Sequence, residues 1–150
     1  MALRKLRIDG DDILRKKSKT VDDITDRIKE LVEDMIDTMY ESQGVGLAAP
    51  QVGVLRRIFI VDIGDGPIIF INPVIEEVEG EQYGLEGCLS VPGKQGDVLR
   101  PYKIKVSAMD LEGTKFELDA EAFLARAICH EYDHLEGILY TDKAENIEEI

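Results

Sequence analysis

The chain reads as a single α+β domain spanning residues 1–150, with antiparallel sheets around a central metal-binding helix and an amphipathic helix near the N-terminus. Three observations predict this. Residues 24–40 repeat apolar side chains at steps of three and four. Residues 57–118 hold short β-rich runs separated by turns, with no crossover helix between them, which favours antiparallel pairing. Residues 123–137 return to helical periodicity and carry both histidines of the chain.

The first helix places Ile24, Ile28, Leu31, Val32, Met35, Ile36, Met39 and Tyr40 on one stripe, with Asp22 or Asp23 as cap and Gly44 as stop. Asp26, Lys29, Glu30, Glu33, Asp34 and Asp37 read as its solvated face. Arg57–Val61 and Ile68–Ile71, joined by the turn-rich Asp62–Pro67, predict a hairpin. Val74 to Val78 reads as a further strand. Lys103–Ala108 alternates polar and apolar before the Glu112-Gly113 turn into Thr114–Leu118. Asp119 is the expected cap of the last helix, which turns Phe123, Leu124, Ala127 and Ile128 inward and ends near Gly137. Residues 145–150 read as a short acidic tail.

A chain of 150 residues with 44% hydrophobic and 33% charged content suits one soluble globular domain. No apolar stretch approaches the ~20 residues of a membrane span. The early cations Arg4, Lys5 and Arg7 are not followed by the apolar segment of a secretory signal. Two cysteines make no disulfide framework, so a cytoplasmic location is the expectation. A net charge of −13 repels phosphate backbones, and direct nucleic-acid binding is not expected.

The chemistry concentrates in Cys129-His130-Glu131-Tyr132-Asp133-His134, an H-E-x-x-H run. On a helix, residues four apart share a face, so His130 and His134 can converge on one metal ion with Glu131 beside them. That is the pattern of a hydrolytic metal site. A catalytic site of this kind usually has three protein ligands, and no further histidine exists. Glu145, Glu148 and Glu149 could serve, but little chain remains to support them. Cys88, in Gly84-Leu85-Glu86-Gly87-Cys88-Leu89-Ser90, is the better candidate, since Gly87 lets a tight turn present the sulfur. Cys129 points about 100° away around the helix and reads as packing. A further stretch, Gly44-Val45-Gly46-Leu47-Ala48-Ala49-Pro50-Gln51, has small residues that admit a ligand close to the backbone, and Gln51 offers an amide donor.

Taken together, G-V-G-L-A-A-P-Q, E-G-C-L-S and H-E-Y-D-H resemble the three signature motifs of the peptide deformylases, in that order and from the Ile13-Leu14-Arg15 segment to Leu139. The resemblance implies removal of the N-formyl group from the initiator methionine of nascent chains, formyl-methionyl peptides being the partner. It implies one divalent metal, natively Fe2+ in many members, with Zn2+, Ni2+ or Co2+ able to occupy the site. It implies Cys88, His130 and His134 as ligands, and Glu131 as the general acid/base for water attacking the formyl carbonyl. Gln51 and the backbone N–H of Leu89 would form the oxyanion hole. The substrate backbone would run past Val45 and Gly46, and its methionine would enter a pocket near Val45, Phe123 and Ala127. Cys129 stands where many members have Gln. The chain lacks the long C-terminal helix by which some bacterial members dock on ribosomes, so transient ribosome proximity rather than docking is expected.

Overall fold

Helix α2 (Ala122–Leu135) runs through the middle of the molecule, with ten of its 14 residues buried. The computed structural model describes residues 2–150. Among these, eight strands form two sheets. The first takes β1 (Gly46–Ala48), β2 (Ile58–Val61), β3 (Ile68–Glu79), β6 (Lys103–Met109) and β7 (Lys115–Glu121), in the spatial order β1-β2-β3-β6-β7. The second takes β4 (Gln82–Cys88), β5 (Val91–Arg100) and β8 (Glu145–Glu149), in the order β4-β5-β8. All named strand pairs are antiparallel, as the absence of crossover helices predicts.

The β2–β3 hairpin pairs Ile58 with Ile71 and Val61 with Ile68, and the β6–β7 hairpin pairs Lys103 with Glu121 and Met109 with Lys115. Val74–Val78 continues β3 across a register shift instead of forming a separate strand. Two apolar clusters cover the five-stranded sheet. One packs Ala125 and Ile128 of α2 against Phe59, Phe70 and Val106. The other packs Leu31, Val32, Met35 and Met39 of helix α1 (Asp26–Glu41) against Leu47, Ile58 and Ile60. The predicted stripe is thus real, except that Tyr40 is exposed and donates its hydroxyl to Asp62 at 2.5 Å.

Several boundaries and exposures differ from the sequence reading. Thr25, not Asp22 or Asp23, caps α1, its hydroxyl accepting from the Ile28 N–H at 3.3 Å. Asp34 is buried rather than solvated, because the N-terminal segment lies over it. The carboxylate accepts from the Ala2 N–H and Arg4 Nε, both at 2.9 Å. Asp119 does not cap α2: it is paired with Lys105 inside β7, and the helix starts directly from that strand, with Ala122 at φ 55°. The tail is strand β8, bound to β5. The last turn of α2 is tied down by the Ser18 N–H and Arg57 Nη1, which donate to the Leu135 carbonyl at 2.8 and 3.3 Å. Gly137 follows at φ 76°, and a Cβ there would lie 2.5 Å from the Arg15 carbonyl oxygen.

Candidate active site

The two histidines of α2 share a face, as their spacing predicts, and β4 delivers Cys88 to them at its last residue. Donor atoms of Cys88, His130 and His134 all lie within 4.8 Å of one another, with Cys88 Sγ 3.4 Å from His134 Nε2. Ligands bound at about 2.3 Å (sulfur) and 2.0–2.1 Å (nitrogen) in a tetrahedral arrangement lie roughly 3.5 Å apart, so the spacing suits a metal ion. His130 Nδ1 faces Glu86 Oε1 at 2.9 Å, which leaves Nε2 for an ion. The alternative ligands Glu145, Glu148 and Glu149 are exposed on β8 and belong to no such group among the described residues.

Glu131 is buried on α2 beside Gly46 of β1, and its Oε1 has no hydrogen-bond partner among the described residues. A Cβ on Gly46 would lie 2.5 Å from Glu131 Oε2, so only glycine leaves room for the carboxylate. Burial pushes the Glu131 carboxyl up to about 7. Burial likewise holds the His134 imidazole well below its ordinary value, which favours the neutral form that metal binding would require. For His130 burial also disfavours charge, but Cys88 and Glu86 outweigh it and raise the pKa.

Gln51 sits on a short 3-10 turn (Ala49–Val52) after β1. Its Oε1 accepts from the Ala48 N–H at 2.9 Å, which turns Nε2 toward Ser90 Oγ (3.0 Å) and Cys88 Sγ (3.7 Å). The amide orientation is thereby set before any ligand arrives.

A cavity of ≈ 380 Å³ opens over this group and is lined by Val45, Gly46, Gln51, Cys88, Leu89, Phe123, Ala127, His130 and Glu131. Every expected substrate-contact residue is there. Phe123 reaches it by pointing out of the core, half exposed, contrary to the inward orientation its periodicity suggests. Cys129 is buried in the apolar cluster, where burial raises its thiol to about 11.

Sequence reasoning missed the charged layer behind the histidines. Glu86 accepts from Arg100 Nε and Nη2 at 2.9 Å each and from Arg126 Nη1 at 2.6 Å, besides facing His130. Arg100 Nη1 also donates to Asp133 at 2.7 Å, and Lys143 reaches the same carboxylate at 2.9 Å. Burial alone would raise the Glu86 pKa; Arg100 and His130 overcome it and hold the carboxyl well below the ordinary range. The available signal was Glu86 itself, two residues before Cys88. Its partners lie 14 and 40 positions away, beyond local pattern.

Comparison with known proteins agrees with this architecture. The family model for polypeptide deformylase matches residues 3–149. A relative from Clostridium perfringens, described as peptide deformylase 1, is 63% identical over 144 residues, covering 95% of this chain and 98% of that one. The crystal structure of peptide deformylase from Thermotoga maritima superposes with a TM-score of 0.94 at 41% identity, covering 95% of this chain and 98% of that one. A peptide deformylase from Synechococcus elongatus in complex with actinonin gives a TM-score of 0.93 at 42% identity, covering 95% and 79%.

Proposed function

Since the chain belongs to the polypeptide deformylase family, enzymes that hydrolytically remove the N-formyl group from nascent peptides, we propose that it does so from the initiator methionine with a divalent ion held by Cys88, His130 and His134. The observation that carries this reading is the convergence of those three donors beside a buried carboxylate with an unpartnered oxygen. When bound, the ion supplies Lewis acidity and lowers the pKa of water at the site. Ferrous iron is the native ion in this reading, and a mixed sulfur and nitrogen set also accepts zinc, nickel or cobalt.

The protein's own groups do the remainder. Glu131, with its carboxyl near 7, takes the proton from the attacking water and delivers it to the departing amine. Gln51 Nε2 and the Leu89 N–H stabilise the oxyanion; losing one such donor typically costs on the order of 10²–10³ in rate. Val45, Phe123 and Ala127 give the methionine side chain apolar contact, and a flexible thioether fits such a slot with no charge to desolvate. Gly46 and Leu89 close around the formyl carbon, which bears only hydrogen, so an acetyl group meets a steric clash. The setting is the cytoplasm, in transient proximity to the ribosome and with no direct nucleic-acid contact. Among the described residues, no helix is long and apolar enough to cross a membrane.

The test is formate release from formyl-Met peptides, with acetyl-Met and unblocked peptides left intact. Comparable kcat/KM on formyl- and acetyl-Met peptides, or cleavage of internal peptide bonds, would return the protein to a broader amidase or peptidase class. Removing the ligands tests the metal assignment separately. Cys88→Ala should lose most of the bound metal and Cys129→Gln should retain it. Stoichiometric metal in Cys88→Ala would refute the ligand set.

A further inference from the structure

Strand β8 reaches the candidate active site. It pairs with β5 through Lys94–Glu149 and Gln95–Glu148, and the Ile150 N–H continues the ladder by donating to the Gly93 carbonyl at 2.9 Å. Its seat is close: a Cβ on Gly96 would lie 3.0 Å from Ala144 Cβ and 3.1 Å from Ile147 Cγ1. Ile150 is thereby set in the wall of the same cavity that holds Cys88 and Glu131, although 75% of it is exposed. Two other exposed apolar side chains, Leu85 and Phe123, share that cavity. Across from them, β1 ends the five-stranded sheet with its outer edge unpaired among the described strands.

A peptide lying extended along that free edge would alternate its side chains between opposite sides, one set turned to the β5–β8 wall. We propose that Ile150, held by β8, is a specificity-determining residue that favours apolar side chains in the part of the substrate following the formyl-methionine. The proposal rests on the deformylase reading above. The mechanism is burial: an apolar substrate side chain covers the exposed isoleucine without giving up hydrogen bonds to water, whereas a polar one must surrender them. Ile150 takes no part in the reaction at the formyl carbon, so its effect falls on KM and not on kcat.

The experiment compares formyl-Met-Ala, formyl-Met-Ala-Leu and formyl-Met-Ala-Ser on the metal-loaded parent and on Ile150→Ser. In Ile150→Ser, KM for the leucine peptide should rise about fivefold, as expected for loss of one apolar contact, with kcat and the dipeptide unchanged. Ile150→Leu should restore it. Gly96→Val, which pushes β8 off β5, should reproduce the loss. If the leucine peptide keeps its KM in Ile150→Ser and Gly96→Val while the dipeptide is still deformylated, the role of Ile150 is refuted and the enzymatic reading stands. If the parent releases no formate even from the dipeptide, the enzymatic reading fails, and this inference with it.

Discussion

Helices α1 and α2 are similar in length, 16 and 14 residues, but they solve different physical problems. Helix α1 lies against one side of the sheet. It buries an apolar stripe, caps its N-terminus with Thr25 and leaves most charges in water. Helix α2 has no side-chain N-cap and buries Arg126, His130, Glu131, Asp133 and His134 along with its apolar residues. Burying such groups is costly unless each finds a partner. Glu86 and Arg100, from the three-stranded sheet, supply partners for all but Glu131 and His134, whose Oε1 and Nδ1 atoms have no partner among the described residues. Ordinary helix physics stabilises α1, whereas α2 holds its chemistry only because a second sheet is built behind it.

Substitutions can break that contrast. The largest effect is expected for Glu131→Gln, which should keep the fold and the metal yet lose activity by about 10³-fold or more. A variant retaining more than about a tenth of the parent rate, a loss under ~1.4 kcal/mol, would remove Glu131 from the role of proton carrier.

Next comes the layer behind the histidines. Arg100→Met leaves the Glu86 and Asp133 carboxylates short of a partner inside the protein, and should cost about 3–5 kcal/mol in urea unfolding. A cost below ~1 kcal/mol would mean that the network is mere surface pairing. Its pH signature follows from Glu86, whose folded pKa is lowered. The stability it contributes is complete above the unfolded carboxylate value and is lost as pH falls through the folded one. The lead of the parent over Glu86→Gln should therefore shrink as pH falls below about pH 4. It should also shrink in alkali, where His130, whose pKa Glu86 helps to raise, loses its proton. A lead that grows below about pH 4 would reverse the assigned sign.

Gly46→Ala is a smaller perturbation that sharpens the comparison. The added methyl must displace the Glu131 carboxylate, so kcat should fall about 10- to 100-fold with little change in melting temperature. Unchanged kcat would show that the close fit around Glu131 is dispensable. The smallest effect belongs to α1: Thr25→Ala should cost about 1 kcal/mol of stability and leave kcat/KM unaltered. A loss of catalysis there would show that the two helices are coupled.

The legible parts of this protein were those written in local periodicity and spacing. The α1 stripe, the β2–β3 and β6–β7 hairpins and the four-residue interval between His130 and His134 each depend on neighbours in the chain, so residue type and spacing determined them. The motifs also singled out Cys88, Gln51 and Gly46 as residues of the site. Other features depended on what packs from a distance. Asp34 looked solvated until the Ala2–Arg4 segment covered it, and Asp119 looked like a cap until pairing with Lys105 drew it into β7. Residues 145–149 read as a tail because three glutamates and an asparagine leave the segment little β-propensity of its own; pairing with β5 makes it a strand. Glu86, Arg100 and Arg126 come together only when β4, β5 and α2 meet. Sequence alone determined which groups the proposed chemistry draws on, because that depends on side-chain type and helical spacing. Tertiary structure decided which of them are buried, paired and aimed at one point, because desolvation and long-range contact exist only once the chain has folded.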